Sequence, residues 1–254
     1  MDFLISAKTD IGIVKDTNQD SLSVKIINTS KGRMVFAVLC DGMGGLSKGE
    51  VASASVVCAF DRWLKEQFPK IIDNITEEKL QEQWESIITN LNDRIKVYGM
   101  NQGVSLGTTV VVILLTQTSY FVMNVGDSRA YEISDRLIQI TTDQTFVARE
   151  IALGNMTPEQ AKVDQRRNVL LQCVGASDVV VPDMFFGKIK RNAVYMLCSD
   201  GFRHEISSDE IFCSLNPDSL NSIDDMNNNA IALIEMNKQR MERDNISVVL
   251  IRTF

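Results

Sequence analysis

The stretch MVFAVLCDGMGG, residues 34–45, constrains the fold of this chain more than any other. Residues 34–39 are apolar or small and predict a buried strand. The strand ends at Asp41 and Gly42, where glycines break the extended pattern. A carboxylate therefore stands where a rigid strand stops and a tight turn exposes a backbone carbonyl, which suits a metal ligand. The alternative is an Asp-Gly turn without any ligand role, and the rest of the chain has to distinguish the two.

The composition narrows the class of protein. The chain has 254 residues, of which 44% are hydrophobic and 23% charged, enough for one large domain or two small ones with a sizeable core. Its net charge of -7 argues against nucleic acid as the main partner and is compatible with carboxylates that bind cations. No apolar run approaches the roughly 20 residues of a membrane span. The start, MDFLISAKTD, lacks the pattern of a signal peptide.

The cysteines indicate a reduced protein, because their number is odd and no C-x-x-C pair occurs. Their positions are Cys40, Cys58, Cys173, Cys198 and Cys213. Cys40, Cys58 and Cys198 lie in apolar segments and are predicted to be core residues. Together with the composition, this predicts a cytoplasmic protein. The single histidine, His204, excludes any site that needs two.

A predicted hairpin brings two carboxylates together. The polar loop at residues 10–20 precedes an alternating segment, 21–27, that predicts a strand. After a turn, residues 33–39 return as the buried strand. Because the first strand starts where the second one stops, we expect Asp20 and Asp41 to be neighbours at one end of the sheet.

The remaining pattern predicts further strands and several amphipathic helices. Helices are expected at residues 47–68 and 76–98, where apolar residues recur every three or four positions, and a final helix is expected around Leu233 and Ile234. The predicted strands are 2–8, 107–116, 119–125, 130–134, 136–141, 179–188, 193–198 and 246–252. Residues 216–229 are interpreted as a weak helix or a loop.

Residues 144–177 interrupt the strands. A helix is predicted at 146–153, and a short second helix begins at Thr157 and Pro158. Residues 165–168, Gln-Arg-Arg-Asn, are polar and are expected either to meet a phosphoprotein substrate or to form a solvated surface loop, since an insertion of this kind is a candidate lid beside a site. With no linker or strong repeat visible, we expect a single domain, 1–254, with a flap at about 144–168.

Five aspartates border predicted strands. They are Asp20, Asp41, Asp143, Asp200 and Asp244. Carboxylates with only one histidine in the chain favour hard cations such as Mg²⁺ or Mn²⁺, which also relieve the repulsion between crowded acids. Two such ions about 3.5–4 Å apart lower the pKa of a bridging water and direct it at a phosphorus atom. The residues alone therefore predict a hydrolase or a phosphoryl-transfer enzyme.

Seven motifs occur in one order along the chain: GIVKDTNQD, VFAVLCDGMGG, SLGTTVVV, NVGDSRAY, TTDQ, CSDGF and RDNISVVL. In this order they resemble the metal-dependent protein phosphatases (PPM family, type 2C Ser/Thr phosphatases), most of all the compact bacterial forms. The resemblance runs from about Thr9 to the C-terminus. It implies an α+β fold of two packed antiparallel β-sheets, a β-sandwich, flanked by α-helices on both sides. It also implies hydrolysis of phosphoserine and phosphothreonine by a water that bridges two Mn²⁺ or Mg²⁺ ions.

The resemblance implies a metal role for six positions, five of which would serve the two main ions. Asp41 would bridge both ions, and the Gly42 carbonyl would serve one of them. Asp200 and Asp244 would hold the other ion, so that Asp41 and Asp200 act in catalysis through the activated water. Asp20 would help to hold the metals.

Further implications concern the outer parts of the site. Asp143 matches the ligand of a third, weaker ion in bacterial members. Residues 126–129 match the family's structural turn. The implied substrates are phosphorylated Ser/Thr proteins, so the implied partner in the cell is an opposing Ser/Thr kinase.

Three positions depart from the family pattern. Lys15 stands where the family has a phosphate-binding arginine, so a point charge replaces a bidentate fork. Gln19 keeps an oxygen but carries no charge. Met43 replaces the histidine proposed as general acid in eukaryotic members, so the leaving-group proton is expected to come from water. His204 matches no catalytic position and is interpreted as structural.

Two alternatives remain beside the phosphatase. One is a catalytically weak pseudophosphatase or phosphoprotein-binding regulator of the same fold, although all five aspartates are present. The other is an esterase with Ser128 as nucleophile, which needs a histidine near the serine, and His204 lies far from it in sequence. A P-loop NTPase is disfavoured because GMGGLSKG lacks the Gly-Lys-Ser/Thr order.

Overall fold

The structure, a computed structural model, describes residues 1–43 and 48–254. The glycine turn expected after Gly42 and the start of the helix predicted at 47–68 therefore lie partly outside the described residues. The described strands are β1 (Phe3–Asp10), β2 (Ser21–Thr29), β3 (Gly32–Cys40), β4 (Gly42–Met43), β5 (Gly107–Thr108), β6 (Val110–Leu115), β7 (Ser119–Val125), β8 (Arg129–Ile133), β9 (Leu137–Gln139), β10 (Asp183–Lys188), β11 (Ala193–Cys198) and β12 (Ile246–Thr253). The described α-helices are α1 (Gly49–Glu66), α2 (Phe68–Ile71), α3 (Glu77–Gln102), α4 (Phe146–Ala152), α5 (Pro158–Val163), α6 (Ser208–Leu215) and α7 (Ile223–Gln239).

Two antiparallel five-stranded sheets form the centre of the fold. The strand order is β1-β12-β11-β8-β9 in one sheet and β10-β7-β6-β3-β2 in the other, while β4 and β5 form a separate small pair. The inner faces of the two sheets share one apolar core. Helices α1 and α3 cover the outer face of the sheet that contains β3, and α6 and α7 cover that of the other sheet. The expected α-β-β-α architecture is confirmed.

Strand β3 shows why this sheet is rigid. Its side chains alternate between two cores, with Val35 and Ala37 in the core between the sheets and Phe36 and Val38 in the core beneath α1 and α3. All four are fully buried. A strand packed on both faces is held firmly in register, so the residue that follows its end has a fixed position.

Helices α1 and α3 are joined to β3 by an aromatic cluster. The Trp84 ring lies 6.3 Å from Phe36, 6.2 Å from Phe60 and 5.7 Å from Trp63, each in an edge-on arrangement. Edge-to-face contacts of this kind add to the stabilisation from apolar burial. Helix α3 begins as the sequence predicts, at the cap residue Thr76, whose hydroxyl accepts from the N–H of Lys79.

The strand predicted at residues 179–188 is shorter than expected and covers only Asp183–Lys188. The side chain of Gln172 accepts from the Val181 N–H at 2.9 Å and donates to the Val181 carbonyl at 2.6 Å. The backbone of Val181 is therefore satisfied by a side chain instead of a neighbouring strand. Pro182 has no N–H to contribute to a ladder.

The predicted burial of Cys58 is wrong, although Cys40 and Cys198 are fully buried. Cys58 lies in an apolar segment, but the buried face of α1 passes through Val57 and Phe60 and leaves residue 58 exposed. The described cysteines are all free thiols.

Helix α6 was not predicted. Its signal is a capping box, in which the Ser207 hydroxyl accepts from the Glu210 N–H and the Glu210 carboxylate accepts from the Ser207 N–H. The segment predicted as a weak helix or loop at 216–229 contains a short 3₁₀ turn and the start of α7.

None of the helices in the described chain combines the length and the apolar character that crossing a bilayer requires.

Replacing Trp84 tests the aromatic cluster. Trp84→Ala is expected to lower the free energy of unfolding by about 3–5 kcal/mol, because it leaves a cavity among three aromatic rings. Glu82→Ala, at an exposed position of the same helix, should change it by less than about 0.5 kcal/mol. Denaturant unfolding of both variants measures the difference. Similar losses for the two variants would show that the cluster does not stabilise the fold.

Candidate active site

The hairpin of β2 and β3 brings two of the predicted aspartates together. Ser21 pairs with Cys40 in the ladder, so Asp20 and Asp41 lie at the same end, as expected from the sequence. The Asp41 N–H donates to Thr109 Oγ1 at 3.1 Å, and the Asp41 carbonyl accepts from the Thr109 N–H at 2.9 Å. The main chain of Asp41 is thereby held by Thr109, the residue between β5 and β6, and its carboxylate remains free to face the site.

Asp200 and Asp244 stand on two loops that pack closely together. Asp200 follows β11, and Asp244 precedes β12. A Cβ at Gly201 would lie 2.2 Å from the carbonyl oxygen of Asn245, so the loops approach this closely only with glycine at position 201. Asn245 also connects the N-terminal loop, because its side-chain oxygen accepts from the Gln19 N–H at 2.9 Å.

A pocket of about 290 Å³ opens at these strand ends. Its lining includes one lysine, Lys15, and four carboxylates. The carboxylates are Asp41, Asp127, Asp200 and Asp244. Asp20 is only 9% exposed and is close enough to Asp200 and Asp244 to feel their charges. The structure therefore gathers the four metal-ligand aspartates predicted at Asp20, Asp41, Asp200 and Asp244.

Burial and mutual repulsion disfavour the ionised form of the carboxylates in this pocket when no cation is bound. Burial, followed by the charge of Asp200, raises the pKa of Asp20 to about 7. Burial and then the charge of Asp20 raise the pKa of Asp41 well above its usual range. Burial and the charge of Asp200 also raise the pKa of Asp127 to about 7, against the opposing charge of Arg203. A bound cation relieves repulsion of this kind.

Three buried carboxylate oxygens have no hydrogen-bond donor among the described residues. They are both side-chain oxygens of Asp20 and Oδ1 of Asp200. The hydroxyls of Ser199 and Ser247 lie near Asp20 and offset part of the rise in its pKa, but neither makes a hydrogen bond of normal geometry to it. A buried carboxylate without a donor needs another positive partner.

The donor set fits a hard divalent cation, since it consists of carboxylate and carbonyl oxygens without cysteine. Within residues 1–43 and 48–254, however, no group of three Asp, Glu, His or Cys side chains is arranged so that it could hold a metal ion. Binding of an ion therefore requires the carboxylates to turn inward from their present rotamers.

Gly42 lies where three segments of the chain meet. A Cβ there would be 2.4 Å from the carbonyl oxygens of both Gln19 and Gly49, so only glycine fits. With its amide oriented to satisfy both neighbours, Gln19 donates to the Gly42 carbonyl at 3.2 Å and accepts from the Gly49 N–H at 3.2 Å. The second lone pair of the Gly42 carbonyl remains for a cation. Met43, beside it in the lining, offers neither an acid nor a base.

Lys15 lies at the mouth of the pocket. Its Nζ is 3.0 Å from Asp244 Oδ1, and the two side chains are 38% and 39% exposed. Burial lowers the pKa of Lys15, but the hydrogen bond to Asp244 and the charges of Asp244 and Asp41 outweigh it and raise the pKa. The ammonium is therefore charged and close to the carboxylates. The phosphate-binding role of Lys15 stays a prediction.

Asp143 is held by an arginine in this structure. Arg129 Nε donates to Asp143 Oδ1 at 2.7 Å and a terminal nitrogen donates to Oδ2 at 2.7 Å, a bidentate fork. Gln139 donates to Asp143 Oδ1 at 3.0 Å, and Arg203 lies 3.6 Å from Oδ2. The role of Asp143 as ligand of a third ion stays a prediction and requires its carboxylate to leave this fork.

His204 connects the two loops that carry Asp200 and Asp244. Its Nε2 lies 3.5 Å from Asp200 Oδ2, and its Nδ1 lies 3.5 Å from Glu242 Oε2. Glu242 is buried, and its Oε1 accepts from the N–H groups of Arg243 at 2.7 Å and Asp244 at 2.9 Å. Burial lowers the pKa of His204, but the hydrogen bond to Glu242 and the charge of Asp200 outweigh it and raise the pKa.

A family model described as protein phosphatase 2C matches residues 13–231. The chain belongs to the protein phosphatase 2C family.

Relatives and solved structures agree with this membership. A putative protein phosphatase 2C-type from Streptococcus pyogenes serotype M6 is 30% identical over 250 residues, which cover 97% of this chain and 96% of the relative. The crystal structure of the Ser/Thr phosphatase Stp1 from Staphylococcus aureus has a TM-score of 0.84 at 28% identity, covering 100% of this chain and 96% of that one. The catalytic domain of the phosphatase PstP, solved in complex with 2 manganese ions, has a TM-score of 0.76 at 26% identity and covers 98% and 97%.

Asp127 lines the pocket but was not predicted as a site residue, because residues 126–129 were interpreted as a structural turn. It is 7% exposed, lines the pocket, and is held by Arg203, which donates to its carbonyl at 3.0 Å and lies 3.4 Å from its Oδ2. The available signal was the one used for Asp41 and Asp200, a carboxylate within two residues of the end of a buried strand. Ser128 beside it is fully buried and within 2.7 Å of Thr109 Oγ1, which disfavours the esterase alternative.

The polar end of the predicted flap divides into two kinds of residue. Arg166 donates to Asp164 and stacks on the Phe146 ring at 4.1 Å. Asn168 instead lines the acidic pocket, and Arg167 lines the neighbouring cleft. Within the expected substrate-facing segment, the guanidinium of Arg166 is therefore engaged by Asp164 and Phe146, while Arg167 and Asn168 line the two cavities.

The metal-free phosphatase is expected to lose stability as the pH rises from about 5 to about 7.5. Asp20, Asp41 and Asp127 have folded-state pKa values above the unfolded one. The folded state thus keeps protons that the unfolded chain has released, and stability falls as the pH rises. His204, whose pKa is also raised, acts in the same direction. The measurement is the thermal unfolding midpoint in chelator across this pH range.

Divalent cations should raise that midpoint most at the upper end of the range, because they bind deprotonated carboxylates. Asp20→Asn should flatten the pH dependence and weaken the cation effect. Asp93→Asn, at an exposed position of α3, should change neither. A midpoint that rises with pH in chelator, or a cation effect that is indifferent to Asp20→Asn, contradicts this account of the pocket.

Proposed function

We propose that this chain is a metal-dependent protein phosphatase that hydrolyses phosphoserine and phosphothreonine in proteins. The observation that carries the proposal is the set of buried, mutually repelling carboxylates at the strand ends of a protein phosphatase 2C family member. The Listeria monocytogenes relative named serine/threonine phosphatase stp, 27% identical over 247 residues, supports the same substrate class.

The proposed ligands are the predicted ones. Asp41 would serve two ions, with Asp20 and the Gly42 carbonyl on one side and Asp200 with Asp244 on the other. The chemistry supplied by bound Mn²⁺ or Mg²⁺ is a lowered pKa for a shared water and neutralisation of phosphate charge. The manganese pair in the PstP structure supports a two-ion site. A third, weaker ion is proposed near Asp127, with Asp143 as an additional ligand once it leaves Arg129.

The chain's own side chains position the substrate around this centre. Lys15 would hold an outer phosphate oxygen, since its ammonium projects into the pocket beside Asp244. Asn168 lines the pocket from residues 144–168, which we propose as a flap of a single domain, 1–254, and Leu170 lines it just beyond that segment. The described lining of the pocket contains no histidine, so water would protonate the leaving Ser or Thr oxygen. The kinase that such an enzyme opposes would phosphorylate Ser and Thr.

Removing one ligand charge at a time tests the centre. Asp41→Asn and Asp200→Asn are each expected to abolish phosphate release from a phosphothreonine peptide while the protein stays folded, because each removes a charge that holds the metals. The assay is phosphate release with a Mn²⁺ titration and a chelator control. Asp93→Asn should retain full activity.

Near wild-type turnover by either active-site variant at saturating Mn²⁺ would show that the centre is elsewhere. A wild-type protein that binds phosphopeptide and divalent cations without releasing phosphate would instead be a pseudophosphatase or phosphoprotein-binding regulator of the same fold. The two results are distinguished by measuring peptide binding and phosphate release on the same preparation.

Lys15 gives a second, independent test. Lys15→Ala is expected to lower kcat/KM by about 10- to 100-fold, the range for loss of a charge-assisted hydrogen bond to phosphate. Metal affinity should change little, because the exposed pair with Asp244 contributes little by itself. Lys15→Arg should keep or raise activity, since a guanidinium grips two phosphate oxygens. Lys65→Ala, exposed on α1, is the control, and an unaltered kcat/KM for Lys15→Ala removes this residue from the site.

A further inference from the structure

A second cavity lies beside the acidic pocket. It is a cleft of about 920 Å³ and shares Lys15, Asn168 and Asp244 with the pocket, so the two are continuous. We call this larger cavity the basic cleft because its lining includes six cations and three carboxylates. The cations are Lys15, Lys162, Arg129, Arg167, Arg203 and Arg243. This excess of positive charge occurs in a chain whose net charge is -7.

Half of these cations are already neutralised by carboxylates of the site. Lys15 pairs with Asp244, Arg129 with Asp143, and Arg203 with Asp127. Their positive charge therefore belongs to the catalytic pocket and is not available to a further ligand.

The other three cations have no side-chain partner. Across residues 1–43 and 48–254, the side chains of Lys162, Arg167 and Arg243 make no hydrogen bond and no salt bridge; the backbone N–H groups of the two arginines donate to Asp164 and Glu242. Arg167 and Lys162 come from the flap, whereas Arg243 comes from the loop before β12. Two separate segments thus present unpaired positive charge to the same cleft.

Such an arrangement recognises an anion that arrives with the substrate. We propose that the basic cleft binds a second anionic group of the phosphoprotein, placed a few residues from the phosphoserine or phosphothreonine that is hydrolysed. A second phosphoryl group matches best, because it carries nearly two charges and three acceptor oxygens that guanidinium groups can grip. This inference rests on the proposed phosphatase function, since it concerns the substrate of that site.

Arg166 is the natural control for this cleft. It neighbours Arg167 in the chain, but its guanidinium is held by Asp164 and by the Phe146 ring. Arg166 is not among the residues that line the cleft, so its removal deletes the same charge without removing a lining residue. A long-range effect of net charge would affect both arginines alike, whereas direct binding would affect only Arg167.

The test compares four substrates with the metal-loaded enzyme. They are an aryl phosphate, a phosphothreonine peptide with neutral flanks, the same peptide with acidic flanks, and the same peptide with a non-hydrolysable phosphonate in place of a second phosphoserine. The phosphonate peptide should exceed the neutral one in kcat/KM by about 10-fold or more, mainly through KM, as for one charge-assisted hydrogen bond. An equal preference for acidic flanks would assign the cleft to carboxylates instead of a second phosphate.

The variants decide whether the cleft causes the preference. Lys162→Gln with Arg167→Gln should remove most of the phosphonate preference, and added salt should weaken it in the wild type. Arg166→Gln should retain the preference. No preference in the wild type, or a preference that survives in the double variant, overturns the inference.

Three outcomes separate this inference from the proposed function. Equal losses on all four substrates, including aryl phosphate, would show a structural role for the two residues and overturn the inference. Hydrolysis of aryl phosphate and the neutral peptide without any preference would leave the phosphatase function standing and remove only the subsite. Absence of metal-dependent hydrolysis of all four substrates would overturn both.

Discussion

Negative charge at the ends of buried strands is the constraint on which the rest of this structure depends. Asp20 and Asp41 lie at the end of the β2–β3 hairpin, whose apolar side chains pack into the cores on both faces of its sheet. Neither aspartate can move out into water unless the hairpin loses this packing. The outer acids Asp127 and Asp143 have arginine partners, whereas Asp20 has none within the described chain. Apolar burial therefore maintains an electrostatic arrangement that is unfavourable until cations arrive.

Much of the fold follows from local patterns that act over a few residues. The β-branched run of β6, the alternation in β2 and the helical stripe of α3 each predict the element that the structure contains. The hairpin register then places two predicted ligands together without further information. In these cases the local preference and the tertiary packing agree, so the sequence suffices.

Helix α6 has a local signal in its capping box, but two other differences from the prediction depend on side-chain contacts between residues that are not neighbours in the chain. The strand at 179–188 is shortened by the side chain of Gln172, and Asp143 is engaged by Arg129. Neither contact has a local signature. Asp127 differs, because its position after a strand was visible, but the turn motif around it favoured a structural interpretation. The direction of its side chain became clear only when Thr109, Arg203 and Asp200 were placed around it.

The site divides its tasks between rigid and variable parts of the chain. The acidic pocket is built on strand ends and the tight loops that pack against them, where Gly42 and Gly201 permit backbone contacts that a side chain would prevent. The basic cleft takes two of its unpaired cations from residues 144–168, a segment of short helices and turns. The residues proposed for metal binding, which need fixed distances, thus stand on the β-sandwich. The cations proposed for substrate selection stand on a loop-rich segment, where sequence changes disturb the core less.

The register of the β2–β3 hairpin also determines where the chain tolerates insertions and deletions. Successive residues of β3 point alternately into two different cores, so one extra residue inside the strand would exchange the two sets and turn Asp41 away from Asp20. The same residue added to the exposed turn after Thr29 would lengthen only a loop. Length variation in this part of the molecule is therefore confined to the end of the hairpin opposite the carboxylates.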